Sequence, residues 1–219
     1  MSRKKDRPVL EAALETGEVI ANVILDDDVL GEIPVIGTAI KVCKATDAVR
    51  DRIFAAKLTR FIQGLSAISE EQKQRFRKKL ASSPDEARKV GETLLLVLEK
   101  VTDLDKPLLL SQIFVAYMEN IISGDELRRL CQAIDTAFAD DLHRLLTAEK
   151  TPEKSDEPWM QYLVASGLTR LVAGGTYDEL GKLFYEVTPL ANKLRNAFFH
   201  GRKHTANDPL RRSSDGRHN

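Results

Sequence analysis

What this chain lacks most plainly is an excess of charge of either sign. Lysine plus arginine and aspartate plus glutamate number 33 each, so the formal net charge is zero. No global field therefore points to nucleic acid or to an anionic membrane. Cysteine is scarce: Cys43 and Cys131 lie far apart, outside any CxxC spacing, each among apolar neighbours. Both read as small core side chains in a reducing compartment, here taken as the cytoplasm. Long apolar runs are missing too. The most apolar stretch, Val29–Cys43, contains Glu32, Pro34 and Lys41 and is too short to span a bilayer. The basic start MSRKKDR leads into a Glu-containing helix pattern rather than an apolar signal core. No Gly-rich phosphate loop, GxSxG, HExxH or paired-carboxylate motif occurs, and no cofactor is implied.

What is present is helical periodicity. Residues 1–45 read as an N-terminal helix and an apolar connector. Pro8–Leu25 places Leu10, Leu14, Ile20 and Ile24 at helical spacing. Asp26, Asp27 and Asp28 end that helix as a solvated loop or cap, because consecutive carboxylates point apart and lack the alternation of a calcium loop. Val29–Cys43 reads as a turn followed by a short buried helix from about Pro34. The alternative is a membrane-surface segment over residues 29–44, with Lys41 and Lys44 at the headgroups.

From residue 46 to 147 the pattern predicts a body of five helices. The first carries Phe54, Leu58, Phe61, Ile62 and Leu65 on one face. Ser69–Gln72, Ser83–Glu86 and Ser123–Glu126 read as capping boxes that open three more, and Asp105 with Pro107 opens another. The last helix is expected to run unbroken through Leu127, Leu130, Cys131, Ile134, Phe138, Leu142 and Leu145. The basic residues between Lys73 and Lys79 are spread around their helix and read as a solvated face. Residues 148–157 are polar and interrupted by proline, a linker composition. Residues 202–219 form a basic tail expected to be disordered, with sequence-independent phosphate affinity as its possible use.

Residues 158–201 depart from plain helix. A helix to Ser166, an apolar run Leu168–Ala173, the turn residues Gly174 and Gly175, a second apolar run Leu183–Val187 and the cap Thr188-Pro189 follow in order. This unit resembles the second half of a winged helix, and the resemblance implies a hairpin followed by a Thr-capped helix. Its first helix offers only Gln161, Tyr162 and Ser166 to base edges, and acids outnumber bases from Asp156 to Asn192. Protein contact is therefore the expected use, with Trp159, Met160 and Tyr162 as the interface.

Arg195-Asn196-Ala197-Phe198-Phe199-His200 matches the R-x4–6-H motif of HEPN-type ribonucleases. That resemblance implies metal-independent RNA cleavage by a dimer, with Arg195, Asn196 and His200 in the active site. A histidine is a general acid or base near neutral pH and an arginine can stabilise phosphorane charge. His200 and His204 are also spaced for a shared ligand, but no third ligand is near in sequence, so no metal is expected. Residues 33–146 resemble small uncharacterised bacterial proteins, some found among phage-defence genes, a resemblance that assigns no residue a role. The resulting expectation is a mostly α chain with one C-terminal hairpin, in a non-enzymatic bacterial protein acting through a protein partner or homo-oligomer, as a regulator or an accessory component of a defence locus. A ribonuclease toxin, a nucleic-acid-binding regulator using the basic tails and a membrane-surface protein are the alternatives.

Overall fold

The computed structural model describes Gly37 and residues 49–65, 67–174, 176–177 and 181–204. Except for Gly37, which is helical, the N-terminal helix, the three aspartates and the apolar connector with Cys43 lie outside these residues, as does the tail from residue 205. Within them the chain is mostly helical, with a single antiparallel hairpin. The helices are α1 (Val49–Gln63), α2 (Glu70–Ser82), α3 (Pro84–Lys100), α4 (Lys106–Met118), α5 (Gly124–Thr136), α6 (Ala139–Thr147), α7 (Pro158–Tyr162) and α8 (Pro189–Arg202). The strands are β1 (Thr169–Ala173) and β2 (Leu183–Val187).

Local signals explain most of the helix starts. Ser69 and Ser123 each accept a bond from the backbone N–H three residues on, and Gln72 and Glu126 return one to the Ser N–H. Thr188 caps α8 through the Ala191 N–H. Ser83 does not close the box expected of it: its side chain makes no cap bond. Glu86, which would have completed that box, instead accepts from the Tyr117 hydroxyl at 3.0 Å. At the start of α4 the capping oxygen belongs to Asp103, which accepts from the Asp105 and Lys106 N–H groups, rather than to Asp105.

The expected fifth helix is two helices. Ala137 and Phe138 are extended, and the Phe138 side chain is 64% exposed instead of joining the apolar stripe. The break gives a second helix start at which Asp140 and Asp141 meet a positive dipole end. It also frees the last carbonyls of α5, one of which, on Asp135, accepts from the Lys106 ammonium at 3.1 Å.

α4 is the centre of the core. Every side chain from Leu110 to Met118 is buried, an all-round burial reserved for a helix with neighbours on every side. α1, α5 and α8 pack against it. Phe61, Phe76, Phe114 and Tyr117 form a connected aromatic cluster; Phe76 meets Phe114 edge-on at 5.4 Å. Two glycines let neighbours approach this closely. A Cβ on Gly64 would overlap the Ser111 side chain, and one on Gly201 would fall on the Gln112 carbonyl oxygen.

A second regularity links the helices end to side. Lys57 of α1 donates to Glu99 O at the end of α3, and Lys79 of α2 to Tyr117 O at the end of α4. Lys106 of α4 reaches the end of α5, and Arg195 of α8 donates to Leu145 O and Ala148 O at the end of α6. Each cation sits on carbonyls at a helix end, where the helix dipole is negative. Burial lowers the pKa of all four.

The C-terminal unit belongs to the same core. Trp159, Met160, Leu163, Leu168, Tyr185, Leu194 and Phe198 join the body's buried cluster. α7 ends at Tyr162, short of the expected Ser166, and turns carry the chain to Gly167, which has φ +72°. β1 and β2 pair with Leu171 opposite Tyr185 and Ala173 opposite Leu183. Residues 148–157 are not idle spacer: Ser155 bridges to Tyr185 through two backbone bonds on the free edge of β2.

Gly201→Ala should therefore be among the most damaging single-methyl additions. It sets a Cβ against rigid backbone, and overpacking of that kind costs about 3 kcal/mol. The measure is the urea unfolding midpoint. A midpoint equal to that of the wild type would show that α8 does not lie this close to α4.

Candidate functional site

Within one chain the HEPN-type motif residues do not converge. The Arg195 guanidinium is buried, with both terminal nitrogens donating to carbonyls at the end of α6, and stacks near the Phe199 ring. Asn196 faces the other way and lines a groove of about 340 Å³ with Ile121, Asn192 and Lys193. His200 points to neither place. Among the expected interface residues, Met160 is fully buried and Trp159 is 8% exposed, its indole N–H bound to Glu157. Of those three, Tyr162 alone presents its ring to solvent.

The densest group of chemically active side chains among the described residues surrounds Glu119. Its position is built by the end of α4. Asn120 takes the left-handed conformation, φ +61°, directly after the helix. Its N–H bonds to Tyr117 O at 3.1 Å, and the Ile121 N–H bonds to Ala116 O at 2.9 Å. These two bonds are the Schellman pattern, with Glu119 as the capping residue. A carboxylate there faces the negative end of the helix dipole and needs compensation from elsewhere.

That compensation comes from α8 and α2. His200 sits in the last turn of α8, and His204 lies one turn on, its N–H bonded to Gly201 O. The His200 Nε2 is bonded to Glu119 Oε2, and the His204 Nε2 lies 3.8 Å from the same oxygen. The two rings are 5.5 Å apart. The Gly201 approach to α4 is what brings this end of α8 within reach. From α2, the Gln72 Nε2 donates to Glu119 Oε1 and lies 3.4 Å from His204 Nδ1. The Ser69 N–H holds Gln72 Oε1, so the capping box fixes which end of this amide faces the carboxylate.

Burial raises the Glu119 pKa, but the bonds from Gln72 and His200 and the nearby charges of His204 and His200 outweigh it, so its pKa lies below the ordinary value. All three titratable groups remain partly open to solvent. Glu119, His200 and His204 offer ligand atoms that all lie within 4.8 Å of one another. No third candidate is near the two histidines in sequence; the carboxylate that joins them lies 81 residues before His200, and only the α4–α8 crossing brings it near. Sequence periodicity carries no trace of such a pairing. The one available signal was the odd placement of an acid at a helix C-terminus.

Comparison of the chain with protein-family models, with curated proteins and with solved structures finds no match.

Because the folded-state pKa of Glu119 is lowered, its stabilising contribution is present above the unfolded value near 4.5 and is lost as pH falls through the folded value. In chelator-treated buffer, the melting temperature of the wild type should exceed that of Glu119→Gln at pH 7, and the gap should narrow below about pH 4.5. A gap independent of pH would mean that Glu119 ionisation does not contribute to folding.

Proposed function

We propose that this protein is a non-enzymatic binding protein that works through protein contacts, with the hairpin and the turn before it as its contact surface. One observation carries the reading. Thr169, Leu171 and Ala173 on β1 share a face with Val187, Tyr185 and Leu183 on β2. On that face Thr169 and Tyr185 are buried, while Leu171, opposite Tyr185, is 50% and Leu183 58% exposed. Tyr162 and Val164 are exposed in the segment leading to it. An antiparallel hairpin normally turns its apolar face inward, so apolar side chains left in water here favour a partner.

A winged-helix-like module is the architectural side of the same proposal, supported by the hairpin and the Thr188-capped helix. Reading of DNA is not favoured. α7 has five residues, too short to fill a major groove. Arg170 of β1 is paired with Glu186 of β2 rather than held out for phosphate. An accessory role in a bacterial defence locus rests on the faint resemblance of residues 33–146 and is part of this proposal.

The replacement Leu171→Ser with Leu183→Ser should leave the melting temperature within about 2 °C of wild type, because both side chains are largely solvated already. It should abolish partner capture in cross-linking pull-downs from cells producing tagged protein. Capture that persists unchanged in the folded double variant would overturn the assignment of this surface. Total RNA from cells expressing wild type and His200→Ala should be equally intact. Cleavage that disappears in the variant would restore the ribonuclease reading.

A further inference from the structure

We infer that Glu119, His200 and His204 form a binding site for a divalent transition metal of the zinc class. Two imidazoles and one carboxylate are a ligand set that zinc, cobalt and nickel share, and three protein ligands leave a coordination position open to solvent. Three features of the fold point to a cation here. Glu119 and His200 stand at the ends of two helices held in register by the Gly201–Gln112 contact, and His204 lies in the turn that follows α8. Glu119 caps α4 and the histidines lie at and just beyond the last turn of α8, so two negative dipole ends meet at the carboxylate. Lys79 takes the Tyr117 carbonyl, two residues before Glu119, and the partners of the carboxylate among the described residues are Gln72, His200 and His204, with no Lys or Arg.

The separations require only side-chain movement. Ligand atoms around a tetrahedral zinc lie about 3.3 Å apart. The present set, within 4.8 Å, closes onto an ion by rotation of the histidine and glutamate side chains. The His200–Glu119 and His204–Glu119 contacts would then be replaced by bonds from the three groups to the metal. Each imidazole would bind through an unprotonated ring nitrogen, and His204 Nδ1, which now faces the Gln72 amide nitrogen at 3.4 Å, would turn away from that donor if it carried the ring proton. Gln72 is a positioning residue: with its oxygen held by Ser69, its amide nitrogen keeps Glu119 Oε1 in place and leaves Oε2 for the ion. Binding would join the end of α8 to the end of α4.

The test uses the full chain with no affinity tag, after chelator treatment. Equilibrium dialysis with Zn2+ at pH 7.5 should give one equivalent bound per chain. Cobalt substitution should give visible d–d absorption of low-symmetry coordination, and Zn2+ should raise the melting temperature. His204→Ala removes a half-exposed ligand outside the regular helix and should weaken Zn2+ binding by about tenfold or more while folding normally. Gln72→Ala should weaken it without changing the stoichiometry. If wild type binds no Zn2+, or if His204→Ala and Glu119→Gln both bind as wild type does, the site is not a metal site. An acid-induced change in the melting temperature with no metal response would likewise reject the metal and leave a proton-linked contact.

Discussion

The fold depends on burying α4 from all sides. That burial takes in even the polar side chains of Ser111 and Gln112. Full enclosure requires neighbours nearer than ordinary side chains allow, and Gly64 and Gly201 grant that approach on two sides. The aromatic cluster of Phe61, Phe76, Phe114 and Tyr117 then fills the space between α1, α2 and α4. The Glu119 cluster is a consequence of the same packing, since the end of α8 reaches Glu119 only because α8 lies on α4.

The second support is polar. Four cations from neighbouring helices sit on the carbonyl ends of α3, α4, α5 and α6. In each case a charge drawn from water is answered by main-chain carbonyl oxygen. This arrangement explains why Arg195 is buried, and why an arginine that could serve phosphate chemistry is held by main-chain oxygens instead. It also fixes the relative tilt of the helices, because a long side chain must span from the flank of one to the end of the next.

Local chemistry was legible in the sequence, and long-range chemistry was not. The boxes at Ser69 and Ser123 and the Thr188 cap follow from bonds within a few residues, and the two apolar runs pair as the hairpin, while Gly175 of its turn lies outside the described residues. Ser83 makes no cap bond because it also ends α2 and lacks the extended backbone of the Ser69 and Ser123 caps, and Glu86 accepts from the distant Tyr117 hydroxyl. Phe138 fitted a helical stripe, yet the chain breaks there to turn α6, a choice made by packing that a periodicity count cannot detect. Trp159 and Met160 were assigned outward because aromatic and thioether side chains suit interfaces, and the shared core claimed them. The Arg195–His200 spacing was visible, but helical geometry sends those two side chains in different directions. Glu119 was missed because nothing local marks it as the partner of a histidine far along the chain.

The Gly201–Gln112 contact also bears on the order in which the molecule can be made. Gln112 and Gly201 are far apart along the chain, so one wall around α4 is supplied by a segment that leaves the ribosome well after α4 itself. Until α8 emerges, nascent chains hold a helix with an apolar flank in water, the kind of surface that draws chaperones and promotes aggregation. Closing so long a loop also places a large entropic step late in folding. Production of this protein should thus be more sensitive to the rate of synthesis and to chaperone supply than its helical content suggests.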